Sequence, residues 1–79
     1  MSPTIFRDHG FRFHFFYREE VRMHVHVSCG DGEAKFWLEP DIELARHTGL
    51  SRSQLQQIES IIEVRHDELC RAWNEHFSG

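Results

Sequence analysis

Two histidines, His24 and His26, stand two residues apart in the stretch Met23-His24-Val25-His26-Val27. Successive side chains of a strand point to opposite faces. In an extended chain both imidazoles therefore share one side, and Met23, Val25 and Val27 share the other. Imidazole exchanges a proton near neutral pH and is a common metal ligand. The pair is thus legible as a general base and acid, as part of a metal shell, or as polar groups that hydrogen-bond locally or meet a partner.

The elements that must position these rings can be traced from the turns. His9-Gly10 reads as a two-residue turn, which pairs Phe6 with Phe13 and Arg7 with Arg12. A three-residue loop at Arg18-Glu19-Glu20 sets Phe15 opposite Met23, Phe13 opposite Val25 and Arg12 opposite His26. Asp31-Gly32, taken as a two-residue turn, pairs Val27 with Phe36, Val25 with Leu38 and His26 with Trp37. Paired residues share a face. One face then gathers Phe6, Phe11, Phe13, Phe15, Met23, Val25, Val27, Phe36 and Leu38. The other gathers Arg7, Arg12, His14, Arg22, His24, His26, Lys35 and Trp37. A slip of one residue in any hairpin would mix the two sets, so their agreement argues for a four-stranded antiparallel meander.

Residues 41–77 read as helical and must cover the apolar face. Asp41–His47 is expected as a short helix led in by Pro40, with Gly49 at its C-terminal end. Ser51 opens a long helix, with Gln54 completing a capping box and Leu50 and Leu55 forming a hydrophobic staple. Leu55, Ile58, Ile62, Leu69, Trp73 and Phe77 recur at helical spacing, flanked by a solvated acidic face. The expected fold is α+β: strands over about 4–38 and helices over about 41–77, in a single domain spanning 1–79.

Composition narrows the classes. The chain has 79 residues and a formal net charge of −4, which excludes a generally basic nucleic-acid binder; any phosphate contact must use a local patch. Cys29 and Cys70 form no CxxC, so a disulfide framework or zinc knuckle is not expected, and a reducing cytoplasm fits. No basic stretch followed by an apolar one opens the chain, and no apolar run approaches the roughly 20 residues of a membrane span, so no membrane role is expected. There is no P-loop, nucleophile elbow or GxGxxG.

The chain resembles a small bacterial family of uncharacterised domains. The residues that carry the likeness are Pro3-Thr4-Ile5, His24-Val25-His26-Val27, Gly30-Asp31-Gly32 through Phe36-Trp37-Leu38-Glu39-Pro40, and Gly49-Leu50-Ser51 through Trp73. Members of that family usually carry Pro where this chain has Met23, and their second loop is often longer. The resemblance implies little chemistry. It does imply a partner, because the family's genes often sit beside another small uncharacterised protein in pairs that look like toxin–antitoxin modules.

Three uses of the polar face follow. As a protein interface it would be one half of such a pair, with Phe16 and Trp37 as anchors and with a strand edge open to another chain; separately, a homodimer would help so small a core. As an RNA-binding face it would use Arg7, Arg12, Arg22, Lys35 and Trp37. His24 and His26 would then serve as catalytic base and acid if it were a metal-independent ribonuclease. As a metal site it would hold zinc or another divalent ion through His14, His24, His26 and Glu39; otherwise no cofactor is expected. The first use is the leading expectation. Glu63 and His66, His76 and the two cysteines read as surface or packing groups.

Overall fold

In the computed structural model, which describes residues 4–16 and 22–77, the alternation seen in the sequence sorts the side chains as expected. Five strands follow one another: β1 (Thr4–Asp8), β2 (Phe11–His14), β3 (His24–Ser28), β4 (Glu33–Trp37) and β5 (Glu43–Thr48). They form one antiparallel meander in the order β1-β2-β3-β4-β5. Two helices complete the α+β fold, α1 (Arg52–Val64) and α2 (His66–Phe77).

The first hairpin has the expected register, with Phe6 opposite Phe13 and Arg7 opposite Arg12. His9 and Gly10 both take positive φ, as the primed two-residue turn requires. The next two hairpins differ from expectation by two residues. Phe13 lies opposite Val27 instead of Val25, and Val25 lies opposite Phe36 instead of Leu38. In the β3–β4 turn the Cys29 amide donates to the Gly32 carbonyl at 2.9 Å, so the turn spans four residues and not two. The expected Arg18-Glu19-Glu20 loop lies outside the described residues.

The expected short helix at Asp41–His47 is instead strand β5, so the sheet has five strands where four were expected. Its Leu44 pairs with Phe36 and its Glu43 with Trp37. Glu, Leu, Ala and Arg favour helix locally, but pairing along the open edge of β4 overrides that preference. Gly49 ends no helix. It takes φ +79° between β5 and α1 and packs against Asp31 and Gly32.

The single long helix is also corrected. Its N-terminus is as expected: the Gln54 amide donates to Ser51 Oγ at 3.1 Å, and the Ser51 amide donates to Gln54 Oε1 at 2.8 Å. At Arg65 the helix breaks into two. The Arg65 guanidinium leaves the helical line and reaches β1: Nη1 is 3.2 Å from Asp8 Oδ2, and Cζ lies 3.4 Å over the Phe6 ring.

The core gathers Phe11, Phe13, Phe15, Val25, Val27, Phe36 and Leu38 from the sheet and Ile58, Ile62, Leu69 and Trp73 from the helices. The Gln54 amide group donates to Asp31 Oδ2 at 2.9 Å, which ties the start of α1 to the β3–β4 turn. His66 Nε2–H donates to the Leu38 carbonyl at 2.8 Å, which ties the start of α2 to the end of β4. Among the described residues, no helix is long and apolar enough to cross a membrane.

Candidate functional site

The polar face is organised in cross-strand rows. Arg7, Arg12, Ser28, Glu33 and Thr48 form one row across all five strands. Thr4, His14, His26, Lys35 and Arg46 form the next, and His24, Trp37 and Glu43 a third. The expected row of Arg7, Arg12, His26 and Trp37 is therefore not formed, because the two-residue shifts move His26 and Trp37 into separate rows. A shift of two preserves the face, so all these residues still share one side of the sheet.

The imidazoles are brought together, but not as an open surface. His24 and His26 have ring centroids 5.1 Å apart, and His14 and His26 are 5.8 Å apart. Their relative exposures are 5% for His14, 0% for His24 and 7% for His26. The expectation of exposed imidazoles is corrected accordingly. Phe16 stands 4.2 Å from the His26 ring and 5.1 Å from the His14 ring. Trp37 and Trp73 stand 5.6 Å and 5.1 Å from the His24 ring.

Trp73 of α2 touches side chains of both faces. The same indole touches Phe15, whose side chain belongs to the core face. His24 is held further by its backbone surroundings. A carbonyl oxygen can only accept, so the 2.7 Å contact with the Arg22 carbonyl fixes the proton on Nδ1. With no exposed surface, His24 can exchange a proton with a substrate only if one of the tryptophans moves aside.

The rim of the face is aromatic and cationic, although Lys35, expected on the open surface, is only 6% exposed. Phe16 is 41% exposed. Trp37 is half-buried, with Arg22 Cζ 4.2 Å and Lys35 Nζ 4.4 Å from its ring, both within cation–π range. Arg22 is held in turn: Nε donates to the Glu39 carbonyl at 3.0 Å, and Nη2 lies 3.6 Å from Glu43. Arg12 Nε donates to Thr4 Oγ1 at 2.6 Å. Phe16, His26, Lys35, Arg46 and Thr48 line a small hollow of about 110 Å³.

The expected metal shell is not assembled. Among the described residues, no three His, Cys, Asp or Glu side chains are grouped to hold a metal ion. Glu39 lies past the end of β4 and is exposed.

Two residues matter more than the sequence suggested. His66, read as surface, anchors α2 to Leu38, and Cys70 sits against its ring with Sγ 3.6 Å from Nε2. Arg46, read as part of a helix, extends the cationic row to the sheet edge. Strand alternation would have found Arg46 had β5 been recognised; no local signal marks His66.

The fold and this face define an α+β domain with a buried imidazole row under an aromatic and cationic rim. The chain belongs to the DUF4160 family, a domain of unknown function, whose model matches residues 10–74. No curated protein and no solved structure matches the chain.

Proposed function

We propose that this chain is an interaction module, one component of a toxin–antitoxin-like pair, that binds the protein encoded beside it through the polar sheet face. The observation that carries this reading is the state of Trp37. Two cations flank its ring, and one of them, Arg22, is fixed by the Glu39 carbonyl. Such an indole offers a large contact surface with little conformational entropy left to lose. Tryptophan and arginine dominate the binding energy of protein interfaces for this reason. The buried imidazoles act as the floor that keeps Phe16 and Trp37 in place.

The test is co-purification with the neighbouring gene product, followed by titration of variants. Trp37→Ala and Phe16→Ala should each weaken binding by at least about tenfold. Glu63→Ala, on the exposed side of α1, should leave it unchanged. Full affinity in both aromatic variants would remove this face as the interface.

A second reading, RNA binding on the same face, has one observation in its favour. Arg7 and Arg12 lie directly opposite each other on one face, an arrangement of like charges that a bridging phosphate would relieve. RNA affinity would then fall steeply with salt. The ribonuclease variant of that reading needs His24 and His26 to reach the substrate, and their burial argues against it.

A further inference from the structure

We infer that β5 pairs with β5 of a second copy of this chain, antiparallel about a two-fold axis. β5 closes the strand order and pairs with β4 on one side, and all six of its residues are exposed. Among the described residues, no strand pairs with its other side. Leu44 is 39% exposed, on the side of the sheet that elsewhere carries the core.

An edge strand can accept many partners, but this one is irregular. Leu44 lies opposite Phe36 and Arg46 opposite Lys35, so Ala45 is an extra residue, a bulge. Glu43 and Arg46 therefore share the polar face at a spacing of three. A regular strand repeats its faces every two residues. It can offer a complement to Glu43 or to Arg46 in register, but not to both.

A second β5 carries the same bulge and meets both. When Glu43 faces Arg46 of the second copy, the two-fold axis sets Arg46 opposite Glu43 of that copy. Leu44 then faces Ala45, and Ile42 faces His47. The Glu43–Arg46 pairs lie on the polar face, and the two ion pairs are reciprocal, as an isologous contact demands. Bulges and charges on edge strands normally discourage pairing. Here they reject ordinary strands and admit an identical one. A six-residue strand pairing is a small contact, of the size of weak or transient encounters below roughly 1,200 Å², so its association is sought at micromolar concentrations. The inference does not depend on the proposed neighbour-encoded partner.

The experiment measures solution mass by sedimentation equilibrium over about two decades of micromolar concentration. The wild-type chain should pass from the mass of one chain to that of two. Glu43→Arg and Arg46→Glu each set like charges opposite one another and should raise the dissociation constant at least about tenfold. The double variant E43R/R46E exchanges the charges and should restore dimerisation to within about threefold of wild type. Both positions are exposed on an exposed strand, and the ion pair lost within the chain, Arg22 with Glu43 at 3.6 Å, is itself solvent-exposed and contributes little, so the variants retain the fold. A single-chain mass at every concentration overturns the inference. So does wild-type association in both single variants, or failure of the double variant to recover. Capture of a different protein by β5 in a chain that stays monomeric overturns it as well.

Discussion

His24 of β3 and Trp73 of α2 stand with ring centroids 5.1 Å apart, although His24 belongs to the face opposite the one that gathers the core. The end of the sheet is thus closed by a helix, and His24 acts as a packing group. His24→Ala should lower stability by about 2–4 kcal/mol, through the lost contacts of a fully buried ring and the lost hydrogen bond to the Arg22 carbonyl. Arg7→Ala, on the exposed part of the same face, should change stability by no more than about 0.5 kcal/mol. Urea denaturation checks both. Equal midpoints for His24→Ala and the wild type would mean that the ring serves something other than packing.

Gly32 and Gly49 hold the β3–β4 turn against the β5–α1 turn. A Cβ on Gly32 would collide with the Thr48 carbonyl, and one on Gly49 with the Asp31 carbonyl. Gly10, by contrast, has φ +83° with open space around it. Gly10→Ala should therefore cost only the backbone term, about 1–2 kcal/mol. Gly49→Ala carries that term and a steric clash, so its loss should exceed that of Gly10→Ala by at least about 1 kcal/mol. Thermal unfolding of the two variants side by side decides the ranking. Equal losses would show that the turns separate freely.

The sheet was legible in the sequence as far as parity carries, and no further. Phe13, Val25, Val27 and Phe36 lie on the expected face because a strand offers only two. At the β3–β4 hairpin the opposite partners moved because turn position, unlike parity, is set by distant contacts. Asp31-Gly32 is a strong hairpin signal, yet Gly32 is used to admit Thr48, and Asp31 is used to receive Gln54. Asp41–His47 has helix-forming composition, and only the exposed flank of β4 makes it a strand. The break at Arg65 did leave a trace: the apolar stripe skips from Ile62 to Leu69, and Val64 between them is 85% exposed. The burial of the imidazoles left none, because nothing in the spacing of His24 reveals that Trp73 will cover it.

Asp8 joins the first hairpin to the corner between the helices. Its carboxylate lies 2.5 Å from His9 Nδ1 and 3.2 Å from Arg65 Nη1. The hydrogen bond to His9 is the main cause that holds its pKa below the ordinary Asp value, and Arg65 acts in the same direction. A carboxyl whose pKa is lower in the folded state stabilises the fold when ionised. That contribution is complete above the ordinary Asp pKa of about 4 and is lost as the pH falls through the lower folded value. The wild type should accordingly be more stable than Asp8→Asn at pH 7, with the gap closing as the pH falls below the ordinary Asp range. Denaturant midpoints across that range provide the check; a gap that widens toward acid would reverse the sign and refute the assignment.

Cys70 and His66 lie one turn apart on α2, with Sγ 3.6 Å from Nε2 and 3.8 Å from Nδ1. A cysteine beside a histidine can form a thiolate–imidazolium nucleophile. Two features here act the other way. His66 already gives its Nε2–H to the Leu38 carbonyl, which makes it a structural tie. Burial pushes the Cys70 thiol up, and the charges of Glu39 and Asp67 push it in the same direction. At neutral pH the sulfur is therefore a thiol. In a Cys29→Ser background, where Cys70 is the sole cysteine, alkylation at pH 7 should be slower than that of an unstructured cysteine peptide. The rate should keep rising with pH beyond the ordinary thiol value of about 8.5. Glu39→Gln should speed the reaction at fixed pH by removing one of the charges that oppose ionisation. A rate that levels off below pH 7 would instead establish an activated cysteine and return this corner of the molecule to the list of chemical sites.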